Sequence, residues 1–163
     1  MSKAEFTNRT GARLALLAAA ALGCSFYRPA PAQESQSAGM PLHPAVSIRE
    51  IMEKTITPAS NTIWSFYEAP TQDSEWAALE EAAVTMVAAA TLTAAGGTGP
   101  MDNEWVKDPA WQAFNRVMLD ASLDALQAVR ARDHAALLEA SDVLYPPCEG
   151  CHTQFNPGVV NAQ

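Results

Sequence analysis

Apolar residues recur every three or four positions along most of this chain, and no stretch shows the two-residue alternation of a strand. In the first such segment Ile48, Ile51, Met52, Ile56, Ala59, Ile63 and Phe66 share one helical face. Ser47 and Glu50 open it with the S-x-x-E pattern of a capping box. Pro58 lies inside the pattern, but the periodicity continues to Trp64. A kink near Thr55 is therefore expected rather than a stop. Ala69-Pro70 closes the segment.

A second helix is expected from about Ser74 to Ala95, with Trp76, Leu79, Ala83, Met86, Val87, Ala90 and Ala94 as its stripe. Glu75, Glu80 and Glu81 crowd its N-terminal half, where the helix dipole favours negative charge. Its many alanines let a neighbour approach closely, and Gly96-Gly97 ends it. The loop from Gly96 to Lys107 is long for a helical hairpin, which suggests that it covers something. Asp108-Pro109 then opens a third helix, with an N-cap followed by proline at the first position. Trp111, Phe114, Val117, Met118, Ala121, Ala125 and Val129 line its inner face. Asp133 caps a fourth helix with Ala136, Leu137, Ala140, Val143 and Leu144 inward. Pro146-Pro147 should interrupt that helix, Pro147 then starting a fresh turn that carries Cys148 to Phe155. The fold class is all-α. Four helices with mostly short connections predict an antiparallel four-helix bundle, whose interior is a natural cofactor site.

Residues 1–32 read as an address rather than as structure. Lys3, Arg9 and Arg13 form a positive leader, and Leu14 to Gly23 is an apolar run of ten residues, too short to span a bilayer. Ala30-Pro31-Ala32 supplies a small-x-small cleavage pattern, so export to the periplasm with cleavage after Ala32 is expected. Cys24 offers a site for lipid anchoring, although Ala21-Leu22-Gly23 fits a lipobox poorly. Residues 33–46, with Pro41 and Pro44, read as a flexible tether; 47–157 form the helical domain and 158–163 a C-terminal tail.

Charge narrows the partners. The 163 residues hold 18 acidic and 10 basic side chains, a net of −8. The leader carries Lys3, Arg9, Arg13 and Arg28 against Glu5, so cleavage leaves six basic and 17 acidic residues, a net of −11. Such a chain repels nucleic acid and anionic membranes and is steered towards a basic partner surface. No membrane-spanning segment is expected in the mature chain. No nucleophile–base constellation and no carboxylate pair stands out, so the reading is of a protein that is not an enzyme.

Cys148-Glu149-Gly150-Cys151-His152 is the motif that carries chemistry. In an exported chain, C-x-x-C-H is the attachment signature of c-type haem. On a helix, positions i, i+3 and i+4 share a face. Cys148 and Cys151 can then bind two vinyl groups of one haem c while His152 meets the iron. Glu149 and Gly150 face away and need no special identity. Three other readings remain. A thioredoxin-type redox pair needs a βαβ setting. A zinc site would have to recruit His43 or His134. A disulfide across so short a loop adds little stability.

With export, four helices and C-x-x-C-H near the C-terminus, residues 45–157 resemble the cytochrome c-prime family and its low-spin, Met-ligated relatives, the class II c-type cytochromes. The resemblance implies haem bound covalently to the last helix, His152 as proximal ligand, and a first-helix residue facing the open side of the iron. Dimers are common in that family, although nothing in this sequence reports on a homodimer. The chain departs from the family in two places. Thr153-Gln154-Phe155-Asn156-Pro157 lacks the usual basic residue after the motif, and the proline pair breaks what is commonly a continuous helix.

The sixth iron position separates two functions. A methionine there suits electron transfer between redox partners, whereas an open position suits binding of nitric oxide or carbon monoxide. Met52, on the apolar face of the first helix, is the candidate ligand; a gap-filling core methionine is the competing reading. Met86 and Met118 read as packing, and Met40 and Met101 fall in the tether and the loop. His43 and His134 read as solvated. Arg49 could meet a haem propionate or remain in solvent. Trp64, Trp76, Trp105 and Trp111 read as core and cofactor wall.

Overall fold

A computed structural model describes residues 44–160. The expected leader, its cleavage site, Cys24, Met40, His43 and residues 161–163 of the tail lie outside the described residues. Among the described residues the regular structure is all helical, with no strand.

The first helix, α1, has three consecutive segments: Ile48–Ile51, a π-helical Met52–Ile56, and Thr57–Ser65. It is followed by α2 (Asp73–Ala95), a short α3 (Asp102–Trp105), α4 (Pro109–Ala131), α5 (His134–Phe155) and a terminal turn, α6 (Pro157–Val160). The local signals place most ends. The Ser47–Glu50 capping box is formed, with the Ser47 N–H donating to Glu50 Oε2 at 2.8 Å and the Glu50 N–H to Ser47 Oγ at 3.2 Å. Asp108 and Asp133 accept from the Ala110 and Ala136 N–H groups as N-caps. Gly96, at φ 102°, ends α2 in a backbone region open mainly to glycine.

The prolines inside helices, Pro58 in α1 and Pro146-Pro147 in α5, are absorbed in different ways. Pro58 has no N–H to offer the carbonyl of residue 54, and its ring would press on that carbonyl. The turn just before it widens, and the Thr57 N–H bonds to Met52 O, five residues back. The Thr55 hydroxyl takes Ile51 O. A π turn stands where a kink is expected from the sequence, with Met52 at its head.

The interruption expected at Pro146-Pro147 does not occur: α5 runs from His134 to Phe155 through both prolines. The carbonyls left without a helical donor belong to Asp142 and Val143, which are exposed and open to water. Buried Leu144, Pro147 and Cys151 hold the helix against its neighbours on both sides of the break in hydrogen bonding.

Packing joins α5 mainly to α4, α4 to α2, and α2 to α1. One apolar cluster draws Ile51, Ile56 and Ile63 from α1, Leu79 and Met86 from α2, Met118 and Val129 from α4, and Leu137 and Leu144 from α5. The alanines of α2 allow this approach; Ala83 and Ala90 are almost wholly buried. By length and composition α2 could cross a membrane, and here its buried side packs on α1 and α4. Two expected core residues point outward, Val117 at 42% exposure and Val143 at 52%. On α4 the buried polar residues are Asn115 and Ser122. Ser122 Oγ donates to Met118 O at 2.6 Å, so burying its hydroxyl leaves no unpaired donor.

Candidate functional site

A second, smaller apolar cluster gathers Ile48, Trp111 and Cys151, flanked by Met52, Trp105, Val106, Phe114 and Phe155. Beside it lies a cavity of ≈ 390 Å³. Met52, Ile56, Ser60 and Trp64 of α1 line one side, Trp111, Phe114, Asn115 and Met118 of α4 another, and Tyr145, Pro147, Cys148, Cys151 and His152 of α5 a third. The two cysteines, the histidine and Met52 thus border one space, although Met52 and Cys148 lie 96 positions apart in the chain.

The uninterrupted α5 sets Cys148, Cys151 and His152 one turn apart along a single helical face. Neither cysteine is in a disulfide. Cys148 donates its S–H to Leu144 O at 3.3 Å, and burial pushes its thiol up from the ordinary range. Cys151 is pushed up to about 12, first by burial and then by neighbouring Cys148. Burial lowers the half-buried His152, which favours the neutral imidazole.

Gly150 departs from the expectation that the middle residues are free to vary. A Cβ placed there would come within 2.7 Å of Phe114 Cε1 and 3.0 Å of Phe114 Cζ. Glycine at this position lets the motif helix lie against the ring that walls the cavity. Glu149 is exposed and lines the rim.

The remaining candidates divide clearly. Arg49 pairs with Glu53 at 2.8 Å, its side chain 85% exposed, on the surface and away from the cavity lining. His134 is partly buried rather than solvated, with Nε2 3.1 Å from Phe66 O. Met86 is fully buried in the core and Met101 is exposed. Met118 is buried and also borders the cavity, so two thioethers face it. Trp64 and Trp111 line the cavity, and Trp76 packs in the main core. Trp105 stacks on Trp111 with ring centroids 5.4 Å apart and meets Phe155 edge-on at 6.2 Å. The 96–107 loop does cover something: it lays Trp105 over the rear of the cavity wall.

Two buried polar groups carried no signal in the sequence. Asn115 accepts the Thr93 hydroxyl at 2.6 Å and donates to Trp111 O at 2.9 Å, while the Trp111 indole N–H donates to Thr93 O at 3.2 Å. This network fixes the Trp111 side of the wall. Asp102, at 3% exposure, accepts from two backbone N–H groups in the covering loop and in α1. The Asn115–Thr93 and Asp102–Ile48 pairings join distant parts of the chain, and no local pattern announces them.

Cys148, Cys151, His152 and Met52 are groups that could hold a porphyrin through covalent and axial bonds. Among the described residues no three His, Cys, Asp or Glu side chains gather as an ion site. Structural zinc takes four such ligands, whereas haem iron takes only axial ligands from the chain. The cavity lies within the size range of small-molecule and cofactor sites, and its walls are largely aromatic and aliphatic. Compared with known proteins, the chain matches no family model, no curated protein and no solved structure.

Proposed function

We propose that this chain is an antiparallel four-helix bundle of the class II c-type cytochrome kind, a periplasmic carrier of single electrons with one covalent haem c. The observation that carries the reading is the shared cavity: Cys148, Cys151 and His152 on one helical face border the same space as Met52, with Trp64, Trp111 and Phe114 in its walls. Core residues drawn from α1, α2, α4 and α5 support the bundle. Held there, haem supplies an iron that gains and loses one electron.

The chain's own residues do the rest. Cys148 and Cys151 would hold the group through thioether bonds, each S–H adding across one vinyl double bond with nothing oxidised and no group leaving. His152 would offer the iron a neutral imidazole nitrogen. A Met52 thioether on that iron would favour its reduced form and raise the potential. Trp64, Trp111 and Phe114 exclude water. No bond in a substrate is made or broken, and the acidic surface favours redox partners with a basic docking face.

The test is to express the chain with its leader in a bacterium competent in c-type maturation. Red protein is expected, one haem heavier than the bare processed polypeptide, with the pyridine haemochrome of a doubly thioether-linked haem. Colourless protein of bare mass overturns the reading. Reduced protein should then resist carbon monoxide until Met52 is replaced by Ala. Immediate binding by the wild type, unaltered in Met52→Ala, would instead support the gas-binding alternative with a five-coordinate iron.

A further inference from the structure

The N-terminal turn of α1, which leads to Met52, is held from outside the helix. Ile48 occupies the first helical position, where the backbone N–H has no intrahelical acceptor. The Ser47 hydroxyl serves the Glu50 N–H instead. Asp102, 54 residues further on, fills the gap, its Oδ2 accepting the Ile48 N–H at 2.8 Å. The same oxygen accepts the Gly99 N–H at 2.8 Å. A second tie runs alongside, from the Thr98 N–H to Val46 O at 3.1 Å.

The loop is shaped for this contact. A Cβ on Gly97 would fall 2.2 Å from Asp102 Oδ2 and 2.7 Å from the Ile48 nitrogen, and one on Gly99 2.7 Å from either carboxylate oxygen. Only glycine lets the loop wrap the carboxylate this closely. The negative charge also lies at the positive end of the helix. Ile48, at 2% exposure, packs with Trp111 and Cys151, and Met52 follows it four residues later on the same face.

We propose that Asp102 is a positioning residue. By clasping the start of α1 to the glycine loop, it fixes the height at which Met52 faces the Cys148–His152 turn. The proposal rests on the haem reading only for its spectroscopic outcome; the clasp itself belongs to the protein fold. Asp102→Ala removes the acceptor. Asp102→Asn keeps one oxygen, which can still accept both N–H groups. Gly97→Ala leaves the carboxylate in place but pushes it away from Ile48.

The holoprotein and its variants should first be checked for covalent haem by mass. Asp102→Ala and Gly97→Ala should keep the haem and lose much of the methionine–iron charge-transfer absorption of the oxidised protein. In the reduced state they should bind carbon monoxide at least about ten-fold faster than wild type, and Asp102→Asn should behave as wild type. Amide hydrogen exchange at Ile48 through Met52 should quicken about ten-fold in the same two variants and not in Asp102→Asn. Unchanged exchange in Asp102→Ala and Gly97→Ala would overturn the clasp. Quickened exchange with an unaltered iron spectrum would overturn its effect on Met52. A colourless wild type with quickened exchange in both variants would leave the clasp standing and remove the haem reading.

Discussion

At the scale of single residues, Gly150 shows how the motif and its surroundings constrain each other. In a helix interior alanine is ordinarily favoured over glycine by about 0.5–1 kcal/mol. Here the added methyl would meet the Phe114 ring at 2.7 Å. Forcing extra volume into a packed site costs about 1–3 kcal/mol, so the packing effect outweighs the helix preference. Gly150→Ala should lower the free energy of unfolding by about 1 kcal/mol or somewhat more, read as a lower denaturant midpoint at unchanged slope. Combining it with Phe114→Leu should recover part of that loss by removing the opposing ring. A variant more stable than wild type would show that Phe114 yields freely and that the glycine is not needed for packing.

Among the elements, α1 and α2 start on carboxylates that are ionised and hydrogen-bonded in the folded chain. The Ser47 hydroxyl and backbone N–H hold Glu50 below the usual carboxylate range, and the Gln72 and Thr71 N–H groups do the same for Glu75. A carboxylate depressed on folding stabilises the fold above its ordinary value, and that contribution is lost as pH falls through the folded-state value. Wild-type stability should therefore decline below about pH 4.5, and Glu50→Gln with Glu75→Gln should flatten the decline, as measured by denaturant unfolding between about pH 3 and 6. Equal slopes in both proteins would remove the caps from this account. The Ser47–Glu50 cap was legible because a capping box is written within four residues, as was the Ile48–Ile63 stripe; the Gln72–Glu75 box was not, because glutamine at the cap is not one of the usual signals. The unbroken α5 was not, because proline's local penalty says nothing about the burial of Leu144 and Cys151 on either side. Asp102 and Asn115 escaped for the same reason: their partners lie 54 and 22 residues away. At the site, the motif announced its three residues, whereas Gly150 and the second thioether, Met118, emerged only once α4 was set against α5.

For the whole molecule, sign and place of charge would decide how the proposed carrier meets redox partners. The full chain has a net charge of −8, and removal of residues 1–32, as proposed, would leave −11. Near the cavity Glu149 stands at the rim, and the basic residue that the resembled family sets just after the motif is missing, Thr153 and Gln154 standing there instead. Two of the ion pairs, Arg130 of α4 with Glu80 and Arg132 just after α4 with Asp73, tie exposed basic side chains to acidic groups of α2, none of which lines the cavity. Exposed pairs of this kind add little stability, so their consequence lies in the field rather than in the fold. Approach to a basic redox protein should be steered at low salt by a factor between about 10 and 1000, and screened once the Debye length shrinks to about 8–10 Å. Electron exchange followed by stopped flow should slow steeply from about 10 to 150 mM salt with a basic partner and quicken with an acidic one. Glu149→Lys should blunt both trends if the rim is the point of contact. A rate indifferent to salt and to the partner's sign would mean that charge does not guide the encounter.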